Sequence, residues 1–235
     1  MTARRVWTIA SILVVGLSVT SLGPALHGQS GASNIELISA TPAGLPAGGQ
    51  QFYDALPYDV GPQKISADNR YVVFASPSGQ IVPGDTNGFQ DIFVRDRQTG
   101  TTTLVSLASD GSLANGNSGT PVISANGRYV AFTSIATNLV TGDGNSAPDV
   151  FVRDLFAGTT AMISLGANTG ADSPSISADG RYIAFQSASS TIVSGDTNLF
   201  NYDVFLRDTV AGTTERISVR SDGAELRGRF GRSVD

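Results

Sequence analysis

Apolar residues in this chain fall in short runs separated by polar, glycine-rich stretches, and the runs return in the same order three times. In the second recurrence, Pro121-Val122-Ile123 is a short apolar stretch, Ala125-Asn126-Gly127 is a hairpin signal, and residues 128–134 form a β-branched and aromatic run. A polar loop follows, then an apolar run at 149–154, a tight turn at Gly158 and a last run at 160–164. The pattern predicts four short antiparallel strands. In RYVAF and DVFV both alternating faces are apolar, so the sheet is predicted to be covered on both sides, as when blades stack radially.

The recurrence extends to whole phrases. ISADNRYVVF from Ile65, ISANGRYVAF from Ile123 and ISADGRYIAF from Ile176 are followed by GDTNGFQDIFVRD from Gly84, GDGNSAPDVFVRD from Gly142 and GDTNLFNYDVFLRD from Gly195. Each unit closes on a third phrase, TGTTTLVS, AGTTAMIS or AGTTERIS. The opening isoleucines are 58 and 53 residues apart, and the difference lies in loops. Self-similarity at this period means one supersecondary unit used repeatedly, each copy burying its apolar faces against its neighbours. Tyr71, Tyr129, Tyr182 and Phe74, Phe132, Phe185 recur inside strands and are assigned to the core.

SADGRYVAF followed by DVFVRD and TGTT resembles the TolB-type, WD40-like (PD40) β-propeller repeat of bacterial exported proteins. The resemblance implies an all-β propeller segment of about three four-stranded antiparallel blades, spanning roughly 65–106, 118–164 and 172–218, with partial blade strands at both ends. It places the Asp-Gly pair in the turn between the two inner strands and DVFVRD on the third. Asn69 replaces the turn glycine in the first copy, where Asp-Asn can still make the turn. Propellers of this kind bind proteins or precede hydrolase domains in peptidases, and fold alone does not choose between them.

Both ends look incomplete. Residues 34–39 read as the fourth strand of a preceding unit and 33–64 as that strand with its connector, while 221–235 parallels the segment from Ser109 onward and ends the chain in a stub. Three blades and a lone strand fall short of the roughly four to eight of a closed propeller, which predicts a fragment of a longer array, closure of a small assembly by the early strand, or a ring completed by two chains. Arg4-Arg5, the apolar run 6–22 and the small-residue stretch 23–32 have the layout of a secretory signal over 1–32, with Ser30-Gly31-Ala32 as the exit. A single-pass anchor is the alternative, although about 17 residues is at the short limit for a span. The protein is therefore expected to be exported, to the periplasm, the medium or the cell surface, and to touch a membrane only through an uncleaved leader.

Composition narrows the chemistry. There is no cysteine, so the exported protein must be held by core packing alone. The only histidine, His27, and the only tryptophan, Trp7, lie in the leader, which removes Ser-His-Asp and Cys-His mechanisms and histidine metal sites from the mature chain. Lys64 is the only lysine. A net charge of −5 argues against nucleic acid as a partner.

In a four-stranded meander the loops after strands two and four share one end, and here those are the long polar ones. That end is expected to carry function. It holds the one constellation with chemistry: Asp85, Asn87 and Asp91; Asp143, Asn145 and Asp149; Asp196, Asn198 and Asp203. Two carboxylates and an amide oxygen within one turn suit a hard cation such as calcium, although the spacing is not that of an EF-hand. The alternative is that Asp and Asn cap turns by bonding their own backbone. Arg95-Asp96, Arg153-Asp154 and Arg207-Asp208 read as structural hydrogen bonds and ion pairs. No catalytic residue and no organic cofactor is assigned, and the expected role is non-enzymatic binding of a protein or other macromolecule, with self-association through open blade edges. The other readings are the propeller part of a peptidase, a glycoside hydrolase, or a structural envelope module. A glycosidase is the weaker enzyme reading because the acids repeat equivalently, whereas a catalytic pair needs unlike environments.

Overall fold

The computed structural model describes residues 63–197 and 201–225. The predicted leader, the strand at 34–39, Asn198 and the stub beyond Glu225 lie outside the described residues. Within them the fold is all-β, with eleven strands in three antiparallel meander sheets. The first sheet is β1 (Tyr71–Ser76), β2 (Asp91–Asp96) and β3 (Thr101–Leu104). The second is β4 (Ser118–Ile123), β5 (Tyr129–Ser134), β6 (Asp149–Asp154) and β7 (Thr159–Met162). The third is β8 (Ala171–Ile176), β9 (Tyr182–Ser187), β10 (Asp203–Asp208) and β11 (Thr213–Arg216).

Two units thus have the four predicted strands. The first has three, with its opening strand reduced to a bridge between Ile65 and Val72 and a hydrogen bond from Val73 N–H to Lys64 O at 2.9 Å. Register between the second and third strands is the same in every unit, and it stacks Phe74 on Phe93, Phe132 on Phe151 and Phe185 on Phe205 with centroids 5.6–5.9 Å apart. Such cross-strand aromatic pairs pin register, because a one-residue slip of either strand would leave the two rings on different faces.

The opening strands β4 and β8 are longer than their apolar stretches predict. Each carries a bulge, at Gly119/Val122 and Asp172/Ser175, where Thr120 and Ser173 take left-handed φ values of 46° and 56° immediately before a proline. An extra residue held there bends the strand and raises its twist. The last strands stop earlier than predicted because a serine side chain takes over the ladder. Ser164 Oγ accepts the Val150 N–H (3.1 Å) and donates to Asp149 Oδ1 (2.5 Å), and Ser106 does the same for Ile92 (3.0 Å) and Asp91 (2.6 Å).

The sheets stack face to face through two apolar cores. Val73, Ile92, Val105, Val130 and Phe132 fill the first interface, and Val122, Val150, Ile163, Phe185 and Phe205 the second. Coverage on both faces therefore holds for the middle sheet, whose Val150 and Ile163 are 0% and 2% exposed. It does not hold for the third, where the equivalent Val204 and Ile217 are 36% and 45% exposed.

A second joint links successive units near their first hairpins. Tyr71 lies so close over Gly127 that a Cβ there would sit 2.6 Å from the ring, and Tyr129 covers Gly180 still more tightly. Each tyrosine has the preceding arginine on it, Arg70 at 4.8 Å and Arg128 at 5.0 Å from the centroid. Those guanidiniums are in turn held by Asp96 and Asp154, each with a 2.7 Å contact from Nη2. Hairpin backbones are also linked, Ala67 N–H to Ala125 O at 2.9 Å and Asn126 N–H to Ala178 O at 3.2 Å. The strand-end aspartates are structural, as predicted, but their partner is the arginine of the hairpin phrase and not the adjacent one. Arg153 instead donates to Leu107 O, Ala108 O and Thr160 Oγ1.

Candidate functional site

Because every unit is a meander, the loops 77–90 and 135–148, the described parts of the loop between β9 and β10 (188–197 and 201–202) and the connectors 105–117 and 163–170 lie at one end of the sheets, while the short hairpins lie at the other. The Asp/Asn constellations sit where the long loops re-enter the sheets.

In the first unit Asp91 opens β2 and is fully buried; its Oδ1 accepts from Ser106, and its Oδ2 accepts the Asn87 Nδ2–H at 2.8 Å. Asn87 also donates to Ala114 O at 3.1 Å, and its Oδ1 accepts the Phe89 N–H at 3.0 Å. These partners fix the amide with its nitrogen toward the carboxylate, so Asn87 shapes the turn and braces Asp91. Asp85 is 7% exposed, and its buried Oδ2 has no hydrogen-bond partner. Burial first, and then the charge of Asp91, push the Asp85 carboxyl above its ordinary range; burial does the same to Asp91.

The second unit repeats the arrangement. Asp149 is 0% exposed, Ser164 holds its Oδ1, and its Oδ2 is buried without a hydrogen bond. Asp143 is half-buried, with Oδ1 in the same condition. Burial raises both carboxyls, and the charge of Asp149 adds to the effect on Asp143. Asn145 caps its own loop through the Ala147 N–H (2.9 Å) and reaches Ala167 O (3.2 Å).

The third unit differs. Arg216 Nη1 lies 2.7 Å from Glu225 Oε1, 3.3 Å from Asp196 Oδ1 and 3.7 Å from Asp203 Oδ2. Those three acids can place one oxygen each within 4.8 Å of one another. Glu225 is held in place by the Thr197 backbone N–H (3.0 Å) and hydroxyl (2.5 Å), and hydrogen bonding, led by that hydroxyl, draws its carboxyl down to about 2. Neither Arg216 nor Glu225 was singled out in the sequence. The available signal was a break in the repeat, since the positions paired with the strand-three phenylalanines are Leu104, Met162 and Arg216.

A shallow groove of about 620 Å³ runs between the turn at Ser109-Asp110 and the loop carrying Thr137, Asn138 and Thr141. Among the described residues no helix is long and apolar enough to cross a membrane.

No family model matches the sequence, and no curated protein does. Solved structures are similar to it in fold. A TolB-like protein from Agrobacterium tumefaciens is 18% identical with a TM-score of 0.42, over 65% of this chain and 46% of that one. TolB from Acinetobacter baumannii is 16% identical with a TM-score of 0.42, over 72% and 37%. The β-propeller domain of the Trilobed protease from Pyrococcus furiosus is 17% identical with a TM-score of 0.37, over 55% and 34%. The chain covers less than half the length of either TolB protein. The described residues form an all-β stack of three antiparallel meander sheets.

Proposed function

We propose that this chain is an exported, non-enzymatic propeller module that binds a protein partner through the end of the stack where its long loops gather. One observation carries the reading: the topology sends all three long polar loops to one end of a rigid sheet stack and leaves the other end with tight hairpins. Loops on a rigid scaffold are where recognition is usually placed. The groove beside Thr137 and Asn138 opens at this end, and both side chains are held in place by Asn115 and Leu113. The non-enzymatic reading is supported by sequence, since the array from Ile65 onward contains neither histidine nor cysteine.

The test is crosslinking of the full chain in its own cell envelope, followed by two sets of substitutions. Thr137→Arg with Asn138→Arg alters the loop end, and Phe156→Arg with Val210→Arg alters exposed hairpin residues. Loss of the same crosslinked protein in the first set alone is expected. Loss in the second set alone would place recognition at the opposite end and overturn the reading. Export is checked by mass spectrometry of the mature protein, whose start is expected between residues 25 and 33; recovery of intact Met1 in the membrane fraction would show an anchor instead.

A further inference from the structure

We propose that the first two units each bind one hard divalent cation of the calcium class, between Asp85 and Asp91 and between Asp143 and Asp149, and that Arg216 fills the same role in the third unit. The proposal does not depend on the identity of any protein partner.

The first argument is charge. In each of the two units a pair of carboxylates is withdrawn from water by the loop that carries it, and among the described residues neither pair has an ion-pair partner. Buried charges are ordinarily paired or coordinate metal. The second argument is the unmatched oxygens. Asp85 Oδ2 and Asp149 Oδ2 belong to side chains more than nine-tenths buried, and neither has a partner in hydrogen-bond geometry, although the Asn145 side chain lies close enough to Asp149 to draw its carboxyl down against the larger effect of burial. Each belongs to a carboxylate pair close enough for mutual repulsion. Ser106 and Ser164 hold Oδ1 of the strand aspartates, while Oδ2 of Asp91 accepts from Asn87 and Oδ2 of Asp149 is unmatched.

The third argument is an internal comparison. Where the third copy gathers Asp196, Asp203 and Glu225, a guanidinium nitrogen stands among them, delivered from a strand position that is leucine in the first copy and methionine in the second. The third copy also gains an acid, since Glu225 stands at the bridge position that is Leu113 in the first copy, so its guanidinium answers three carboxylates, whereas the pairs of the first two units have no positive group beside them among the described residues. An all-oxygen donor set in a loop with main-chain carbonyls nearby suits calcium, which accepts irregular geometry, better than magnesium, which demands a near-octahedral shell. Asn87 is not a ligand in this arrangement, because its amide nitrogen faces Asp91.

Calorimetry of the chelator-treated full chain, with calcium chloride and then magnesium chloride as titrants, tests this. Two calcium events are expected, at about 10⁻⁴ to 10⁻³ M as in extracellular modules, with magnesium at least about tenfold weaker. Asp85→Asn and Asp143→Asn should each remove one event. Met162→Arg, which copies the third unit into the second, should also remove one, and Arg216→Leu should add one. Circular dichroism identifies any variant that fails to fold, and the Asp→Asn pair, which keeps side-chain shape, then decides the matter. Absence of calcium binding, together with an infrared band of protonated carboxyl near neutral pH that Asp85→Asn and Asp143→Asn abolish, would show a proton shared within each pair and overturn the proposal. Calcium binding that survives both Asp→Asn changes would overturn it as well.

Discussion

Replacing Gly180 by alanine should destabilise the protein far more than replacing Gly195, although both have a φ of 82°. An alanine in the left-handed region costs about 1–2 kcal/mol relative to glycine, and that cost is common to the two sites. The surroundings differ. A Cβ on Gly195 meets nothing within 4 Å, whereas one on Gly180 falls against the Tyr129 ring. That ring cannot yield cheaply, because Arg128 lies over it and Asp154 holds Arg128. Forcing a methyl group into such a joint costs roughly 1–3 kcal/mol more. At a urea m-value of about 2 kcal/mol/M, the two variants should differ by roughly 0.5–1.5 M in midpoint. Equilibrium unfolding of the wild type, both alanine variants and their combinations with Tyr129→Ala closes a double-mutant cycle. In the Tyr129→Ala background the two alanines should cost the same. Equal cost in the wild-type background would refute the tyrosine-on-glycine joint as a stabilising contact.

Ser164→Ala removes the hydroxyl shared by Asp149 and the Val150 N–H in a buried setting, and unfolding should show a loss of about 1–3 kcal/mol; a neutral result would mean that water replaces it. Hydrogen bonds led by Arg70, Arg128 and Arg181 hold the Asp96, Asp154 and Asp208 carboxyls below the ordinary 3.8. Their contribution is therefore complete above that value and is lost as pH falls through the lower folded-state values, so Asp154→Asn should flatten the acid limb of a stability–pH profile. Val204→Asp with Ile217→Asp places charge on the exposed face of the third sheet, and sedimentation should show less self-association than for wild type; unchanged association would locate the contact elsewhere.

The strands that carry alternating β-branched and aromatic residues were legible within a residue: β5 and β6 fall where RYVAFTS and DVFVRD stand. The opening strands were only half legible, because Ser118, Gly119 and Thr120 show no apolar alternation and the bulge depends on a left-handed residue before proline. Thr-Pro and Ser-Pro at the same place in two copies were the available sign. The carboxylate pairs could be found by counting, since Asp recurs at fixed offsets. The orientation of Asn87 could not, because Phe89 N–H and Ala114 O set it only once the loop has closed. Arg216 was not singled out in the sequence, because its 10% side-chain exposure arises only once the fold brings the 196–197 loop and Glu225 onto it.

The joint between units has a direction, and this restricts what can lie against the third sheet. Each unit offers a tyrosine forward and receives one on its hairpin glycine, as Tyr71 to Gly127 and Tyr129 to Gly180. Tyr182 has the same arginine support, with Arg181 at 4.9 Å and Asp208 behind it, yet is 37% exposed. The first unit's hairpin carries Asn69 at the glycine position, with a φ of 59° that preserves the turn while adding a side chain. A tyrosine brought to Asn69 as Tyr129 is brought to Gly180 would meet the asparagine Cβ within its ring. Tyr182 and the first hairpin are thus not complementary halves of this joint, whether they belong to one chain or to two. A repeat unit that covers the third sheet in the manner of the first two joints must carry glycine after the aspartate or asparagine of its opening phrase. Asn69→Gly would remove the steric block at the first hairpin, and its effect on self-association separates head-to-tail stacking from contact through the apolar strip at Val204 and Ile217.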